Sequence, residues 1–121
     1  MEFEFKNKNP LEKRKEQFNK INNEYEGKIP IILERANKCT INKVIKTKYI
    51  LSNTLTLAEF IKIIREKLEL EPERALFFLA NGKYSISTNE NLGNIYEKYK
   101  DKEDGFLYMT YSEEIVYGFK V

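Results

Sequence analysis

The sequence has no histidine and a single cysteine, Cys39. Without His, no Ser–His or Cys–His nucleophile pair can be built, and His-based metal sites are excluded. One Cys cannot close an intrachain disulfide, and a lone thiol suits a reducing compartment. Cys39 falls in a turn and, with no His to act as base, reads as incidental. Long apolar runs are also missing. The stretch from Ala75 to Ala80, with Arg74 beside it, falls far short of the roughly 20 residues that a bilayer-spanning helix needs. No secretory leader is visible. Glu2 stands where myristoylation needs Gly, and the carboxyl end lacks a prenylation Cys. There is no Gly-rich phosphate loop. The chain alone is therefore expected to be no enzyme, with no cofactor and no metal.

What is present suits one soluble domain. The 121 residues are 41% apolar and 33% charged, enough for a single real core. The 21 basic and 19 acidic residues leave a net charge of +2, which argues against a nucleic-acid binder. The excess is uneven: residues 1–60 carry 12 basic and 8 acidic groups. Lys, Asn and Ile are frequent from end to end, so the bias reads as codon composition. No repeat or linker interrupts the chain.

Local signals set the order of elements. Asn9 as cap, Pro10 in the first turn and Glu12 reaching back predict a helix over 11–25, with Leu11, Phe18, Ile21 and Tyr25 recurring at helical spacing. Phe3 and Phe5 ahead of it suggest a short arm or turn of helix. Gly27 ends this unit. Residues 28–35 read as a buried strand, in which Pro30 must avoid a donating ladder position. A turn over Asn37 to Asn42 and a second strand over 46–52 complete a hairpin. Thr56-Leu57-Ala58-Glu59 is a capping box opening a helix that ends near Leu70, before Pro72. Ala75 to Ala80 is a strand, and Asn81-Gly82 signals a type I′ turn. Leu92, Ile95, Tyr96 and Tyr99 mark a short helix, and Phe106 to Tyr111 a last alternating strand. The order predicts an α+β fold: a β-grasp, ubiquitin-like mixed four-stranded sheet with an extra amino-terminal helical segment.

Several stretches carry a resemblance. Pro10-Leu11-Glu12-Lys13-Arg14, Lys28-Ile29-Pro30-Ile31-Ile32-Leu33-Glu34, Lys48-Tyr49-Ile50-Leu51, Ala75-Leu76-Phe77-Phe78, Phe106-Leu107-Tyr108, Tyr111-Ser112-Glu113-Glu114 and Val116-Tyr117-Gly118 stand in register. Together they resemble the ubiquitin-like autophagy modifiers, the GABA-receptor-associated protein family, across nearly the whole chain. The resemblance implies a helical extension over 1–26, a ubiquitin-like domain with its tail over 27–118, and a tail of 119–121 removed on processing. A cysteine protease would cut between Gly118 and Phe119. Activating and conjugating enzymes would then join Gly118 to phosphatidylethanolamine, moving a cytoplasmic protein onto the autophagosome membrane. Gly suits this role because it lets backbone approach a catalytic thiol closely.

The family also binds peptides in which an aromatic residue and an aliphatic one flank two variable positions. By resemblance, the aromatic pocket here is Ile21, Pro30, Ile32, Lys48, Ile50 and Phe106. The aliphatic pocket is Tyr49, Leu51, Leu55, Phe60, Ile63 and Ile64. Lys28, Lys46, Arg65 and Lys67 would meet acidic residues of the peptide. The strand alternation agrees, since Lys48 and Ile50 face opposite to Tyr49 and Leu51. The segment from Lys38 to Lys48 carries four lysines and no acid, which suits both a protected sheet edge and an edge that attracts an acidic incoming strand. Gln17, Ser52 and Glu66 depart from the family pattern, where an acid, a Pro and a basic residue are usual. Leu76, Phe77 and Phe78 resemble a second docking patch, though core strand is the stronger reading. Two alternatives stay open: a ubiquitin-like adaptor that is never conjugated, and a lipidated relative serving another organelle.

Overall fold

The computed structural model describes residues 2–37 and 39–114. Its organising element is β1, Lys28–Arg35, whose run of Ile29, Pro30, Ile31, Ile32 and Leu33 is buried on both faces. Apolar side chains without polar alternation require cover on both sides, and β1 has it. The antiparallel partner on one side is β2, Lys48–Ser52. The parallel partner on the other is β5, Leu107–Ser112. Next to β5 come β3, Phe77–Ala80, and the two-residue β4, Tyr84–Ser85, giving the order β2-β1-β5-β3-β4.

The sheet thus has five strands where four are expected from sequence. The type I′ turn is present: Asn81 and Gly82 both have positive φ, 55° and 71°, and the Lys83 amide closes on the Ala80 carbonyl at 3.0 Å. The strand on its far side, Tyr84–Ser85, is too short to show alternation, which is why it escapes a sequence reading. Pro30 is tolerated for a readable reason. Even-numbered residues of β1 point their amides towards β5, as Ala36 continues to do at 2.9 Å to the Tyr111 carbonyl. Pairing with β5 begins only at Ile31, opposite Leu107. The missing N–H of Pro30 therefore costs no ladder bond.

Helices cover both faces. On one lie α3, Leu57–Lys67, and α4, Leu92–Tyr99, against Ile29, Ile31, Leu33, Leu107, Met109 and Tyr111. The capping box of α3 is formed: Thr56 accepts from the Glu59 amide, and Glu59 accepts from the Thr56 amide at 2.9 Å. On the other face, α1, Glu4–Lys8, and α2, Leu11–Glu24, cover Ile32, Phe106 and Tyr108.

Other boundaries shift. Pro10, not Asn9, is the cap of α2, because the Asn9 side chain turns back to the Phe5 carbonyl at 3.0 Å. The connection after β1 runs to Thr47, so β2 starts at Lys48 rather than 46. Helix α3 ends at Lys67, where Glu69 takes a left-handed φ of 51°. Strand β3 starts at Phe77 rather than Ala75, and β5 extends to Ser112.

Candidate functional site

β2 lies at the end of the strand order, with β1 as its one partner among the described residues. An edge strand presents an unpaired row of backbone donors and acceptors to any incoming extended chain. The side chains of β2 divide between the two helical layers, as the alternation predicts.

On the α2 side, Ile21, Ile32 and Phe106 form a buried cluster with Phe3 and Tyr108, and Ile50 packs against it. Pro30 stands opposite Ile50 across the strands, and Ile32 opposite Lys48. Two members of this wall escape the sequence reading: Phe5, edge-on to Phe106 with centroids 5.2 Å apart, and Phe18. Helical spacing marks Phe18 as one of the recurring apolar residues of α2, but it does not bring Phe18 to this cluster. Lys48 donates to the Gln17 side-chain oxygen Oε1 at 2.8 Å. An acid at position 17 would pair with this ammonium. Neutral Gln17 leaves the Lys48 charge uncompensated for an acidic partner.

On the α3 side, Tyr49, Phe60 and Ile64 belong to the main core. Tyr49 is only 3% exposed, so it forms a floor rather than an open wall. It meets Phe60 edge-on at 5.5 Å, and burial pushes its phenol pKa up. Its hydroxyl is buried with no hydrogen-bond partner among the described residues. Half-buried Leu51 and Leu55 pack over this core. Ile63 is half-buried on the flank of α3 opposite Ile61, and Ile61 faces Leu76 and Phe78 across a small cleft. That places Ile63 on the flank towards β2.

The cations are differently disposed. Lys28 and Lys67 are exposed at element ends. Lys46 is exposed, with its ammonium 5.4 Å from the Tyr49 ring centroid. Arg65 is engaged: its guanidinium donates to the carbonyls of Arg74 at 2.7 Å and Glu71 at 2.9 Å. Sequence gives no sign of that local role. Leu76 and Phe78 are core, while Phe77 is exposed. Gly118 and Phe119 lie outside the described residues.

A polar clasp holds the α1–α2 layer in place. The Glu34 carboxylate accepts the amides of Glu4 and Phe5 at 2.8 and 2.9 Å. Arg14 and Asp104 pair at 2.9 Å, and Tyr108 donates to the same carboxylate at 2.5 Å. Burial, then that carboxylate, drive the Tyr108 pKa well above its ordinary value. Lys6 pairs with Asp101 at 2.6 Å. Burial opposes ionisation of Asp101, but Lys6 and the amides of Asp104 and Glu103 outweigh it and hold its pKa below the usual carboxylate range.

A hairpin, a crossing helix and a central parallel pair of strands define a β-grasp, ubiquitin-like protein carrying an added helical layer. A family model described as autophagy protein Atg8, ubiquitin-like, matches residues 13–118. The autophagy-related protein 8 of Candida glabrata is 38% identical over 120 residues, 99% of this chain and 100% of the relative. That of Cochliobolus heterostrophus is 39% identical over 118 residues, 98% of each. The Trypanosoma brucei ATG8 crystal structure matches with a TM-score of 0.88 at 31% identity, covering 98% of this chain and 100% of that one. The chain belongs to the Atg8 ubiquitin-like family of autophagy proteins. No helix among the described residues is long and apolar enough to cross a membrane.

Proposed function

We propose that this chain is a protein modifier of autophagy, a substrate of enzymes rather than an enzyme. A cysteine protease removes residues 119–121. Activating and conjugating enzymes transfer Gly118 to the amine of phosphatidylethanolamine. The lipid-anchored module, residues 27–118 with its 1–26 helical layer, then gathers receptors on the autophagosome membrane. Family membership supports the conjugation reading, and the edge strand β2 supports receptor binding.

The observation that carries the reading is the division of β2 at a sheet edge unpaired among the described residues. Ile50 packs against one apolar cluster, with Lys48 bonded to Gln17 and paired opposite Ile32, and Tyr49 and Leu51 pack with the other. A peptide adding a strand there would turn alternate side chains towards the two clusters, with main-chain bonds giving affinity and side-chain contacts giving specificity. Lys28, Lys46, Lys48 and Lys67 supply positive charge for acidic flanking residues, which raises association rate and selects partners.

Tyr49 is too buried to test binding alone, since truncating it opens the core. Leu51→Ala is the cleaner probe. It is expected to weaken an aromatic-x-x-aliphatic peptide about tenfold in calorimetry while thermal unfolding stays cooperative. Unchanged affinity in a folded Leu51→Ala chain would overturn the groove.

A further inference from the structure

Residues 36–58 contain no Asp or Glu, and within them Lys43-Val44-Ile45-Lys46 brackets two apolar residues between two lysines. The fold treats the two differently. Val44 packs against the core, and its amide donates to the Tyr111 hydroxyl at 2.9 Å. Ile45 is as exposed as in an unfolded chain, at 105%.

The loop presenting it is tied down. The Tyr111 hydroxyl donates in turn to the Asn42 carbonyl at 2.7 Å, and Arg35 donates to the Ile41 carbonyl at 2.9 Å. The Ile41 side chain is buried. Single exposed apolar residues are ordinary. This one differs in its setting: a fixed loop, lysines on both sides, and a position beside the carboxyl-terminal end of β5. The Glu113 carboxylate accepts the amide of Thr40, in the same loop, at 3.2 Å.

We propose that the β1–β2 loop contacts an anionic lipid surface, with Ile45 entering the headgroup and upper acyl region and Lys43 and Lys46 meeting lipid charge. Apolar insertion and basic attraction add at such surfaces. The proposal rests on conjugation at Gly118 in one respect. Gly118 lies four positions after Glu114, at most about 14 Å of extended chain, so an anchor there keeps the loop within reach of the bilayer. The neighbouring acids Glu2, Glu4 and Glu34 line a cleft on the Lys43 side, and Glu34 is already engaged by the α1 amides. Ile45 and Lys46 do not line that cleft.

The chain has no tryptophan, so Ile45→Trp supplies a single reporter. A chain with a hexahistidine tag after Gly118, held on vesicles of phosphatidylcholine, phosphatidylserine and a nickel-chelating lipid, is expected to show blue-shifted emission quenched by brominated acyl chains. Lys83→Trp, on the exposed β3–β4 turn, is expected to keep the emission of a water-exposed indole. Untagged Ile45→Asp is expected to float with phosphatidylserine vesicles about fivefold less than the unsubstituted chain. Unshifted emission at position 45, equal quenching at position 83, or a shift only on adding an aromatic-x-x-aliphatic peptide would each overturn the proposal. Because the tag replaces the natural anchor, the loop is tested even if cells never conjugate Gly118. The absence of conjugation in cells would overturn the proposed function instead.

Discussion

The two helical layers that sandwich the sheet are held by different forces. Beneath α3 and α4, the core is apolar, built on Phe60, Ile64, Leu92 and Ile95 against Ile31, Leu33 and Met109. The α1–α2 layer covers a smaller apolar patch and depends on ion pairs and charge-assisted hydrogen bonds: Glu34 on two amides, Lys6 on Asp101, Arg14 and Tyr108 on Asp104. One layer is the fold's foundation. The other is a fitted cover whose attachment depends on charge, and it lies over the cluster of Ile21, Ile32, Phe106 and Tyr108.

The sharpest way to break this contrast is to damage each layer in turn. Phe60→Ala removes a fully buried ring and is expected to cost about 3–5 kcal/mol, with hydrogen-exchange protection lost across the whole sheet. Asp104→Ala leaves the Arg14 charge without its carboxylate and the Tyr108 hydroxyl without its acceptor, both largely buried, and is expected to cost about 3 kcal/mol. Its loss of protection should concentrate in α1, α2 and residues 101–106. Equal loss everywhere in the second variant would contradict the distinction.

Acid sharpens the same contrast more gently. Asp101 has a folded pKa below its ordinary 3.8, so its contribution is present above that value and lost as pH falls through the lower folded one. Glu113 is likewise held low, by Thr40 and Arg74. As pH falls below 3.8, exchange protection in α1 and α2 should fall before that of α3, and Asp101→Asn should flatten that fall. The apolar cluster under α3 holds no group that changes charge in that range. Simultaneous loss in both layers would contradict this ordering.

The smallest effect is expected at Tyr49. Its hydroxyl is buried without a partner among the described residues, so Tyr49→Phe removes an unmet desolvation cost and should leave stability unchanged or slightly raised in urea unfolding. A loss above about 1 kcal/mol would show that the hydroxyl is satisfied.

Much of this architecture is legible in the sequence. The capping box at Thr56, the Asn81-Gly82 turn and the opposite facing of Lys48 and Tyr49 are local rules acting over a few residues, and the fold keeps them. What is not legible depends on partners distant in sequence. Arg14 meets Asp104 across 90 positions. Asn9 leaves its expected capping role because its side-chain amide is turned back to donate to the Phe5 carbonyl at 3.0 Å. Arg65 is drawn to the carbonyls after α3, and β4 exists only because β3 offers it an edge. The exposed Ile45 has a faint sequence signal, an apolar pair between two lysines, but only the packing of Val44 shows which of the pair turns outward.

The mass of the mature chain recovered from cells decides whether the proposed lipid attachment at Gly118 takes place. The expected result is loss of residues 119–121 and gain of one phosphatidylethanolamine, in a membrane fraction, with Gly118→Ala abolishing the lipid adduct. A chain that never gains the lipid, or a Gly118→Ala chain that still does, would contradict it.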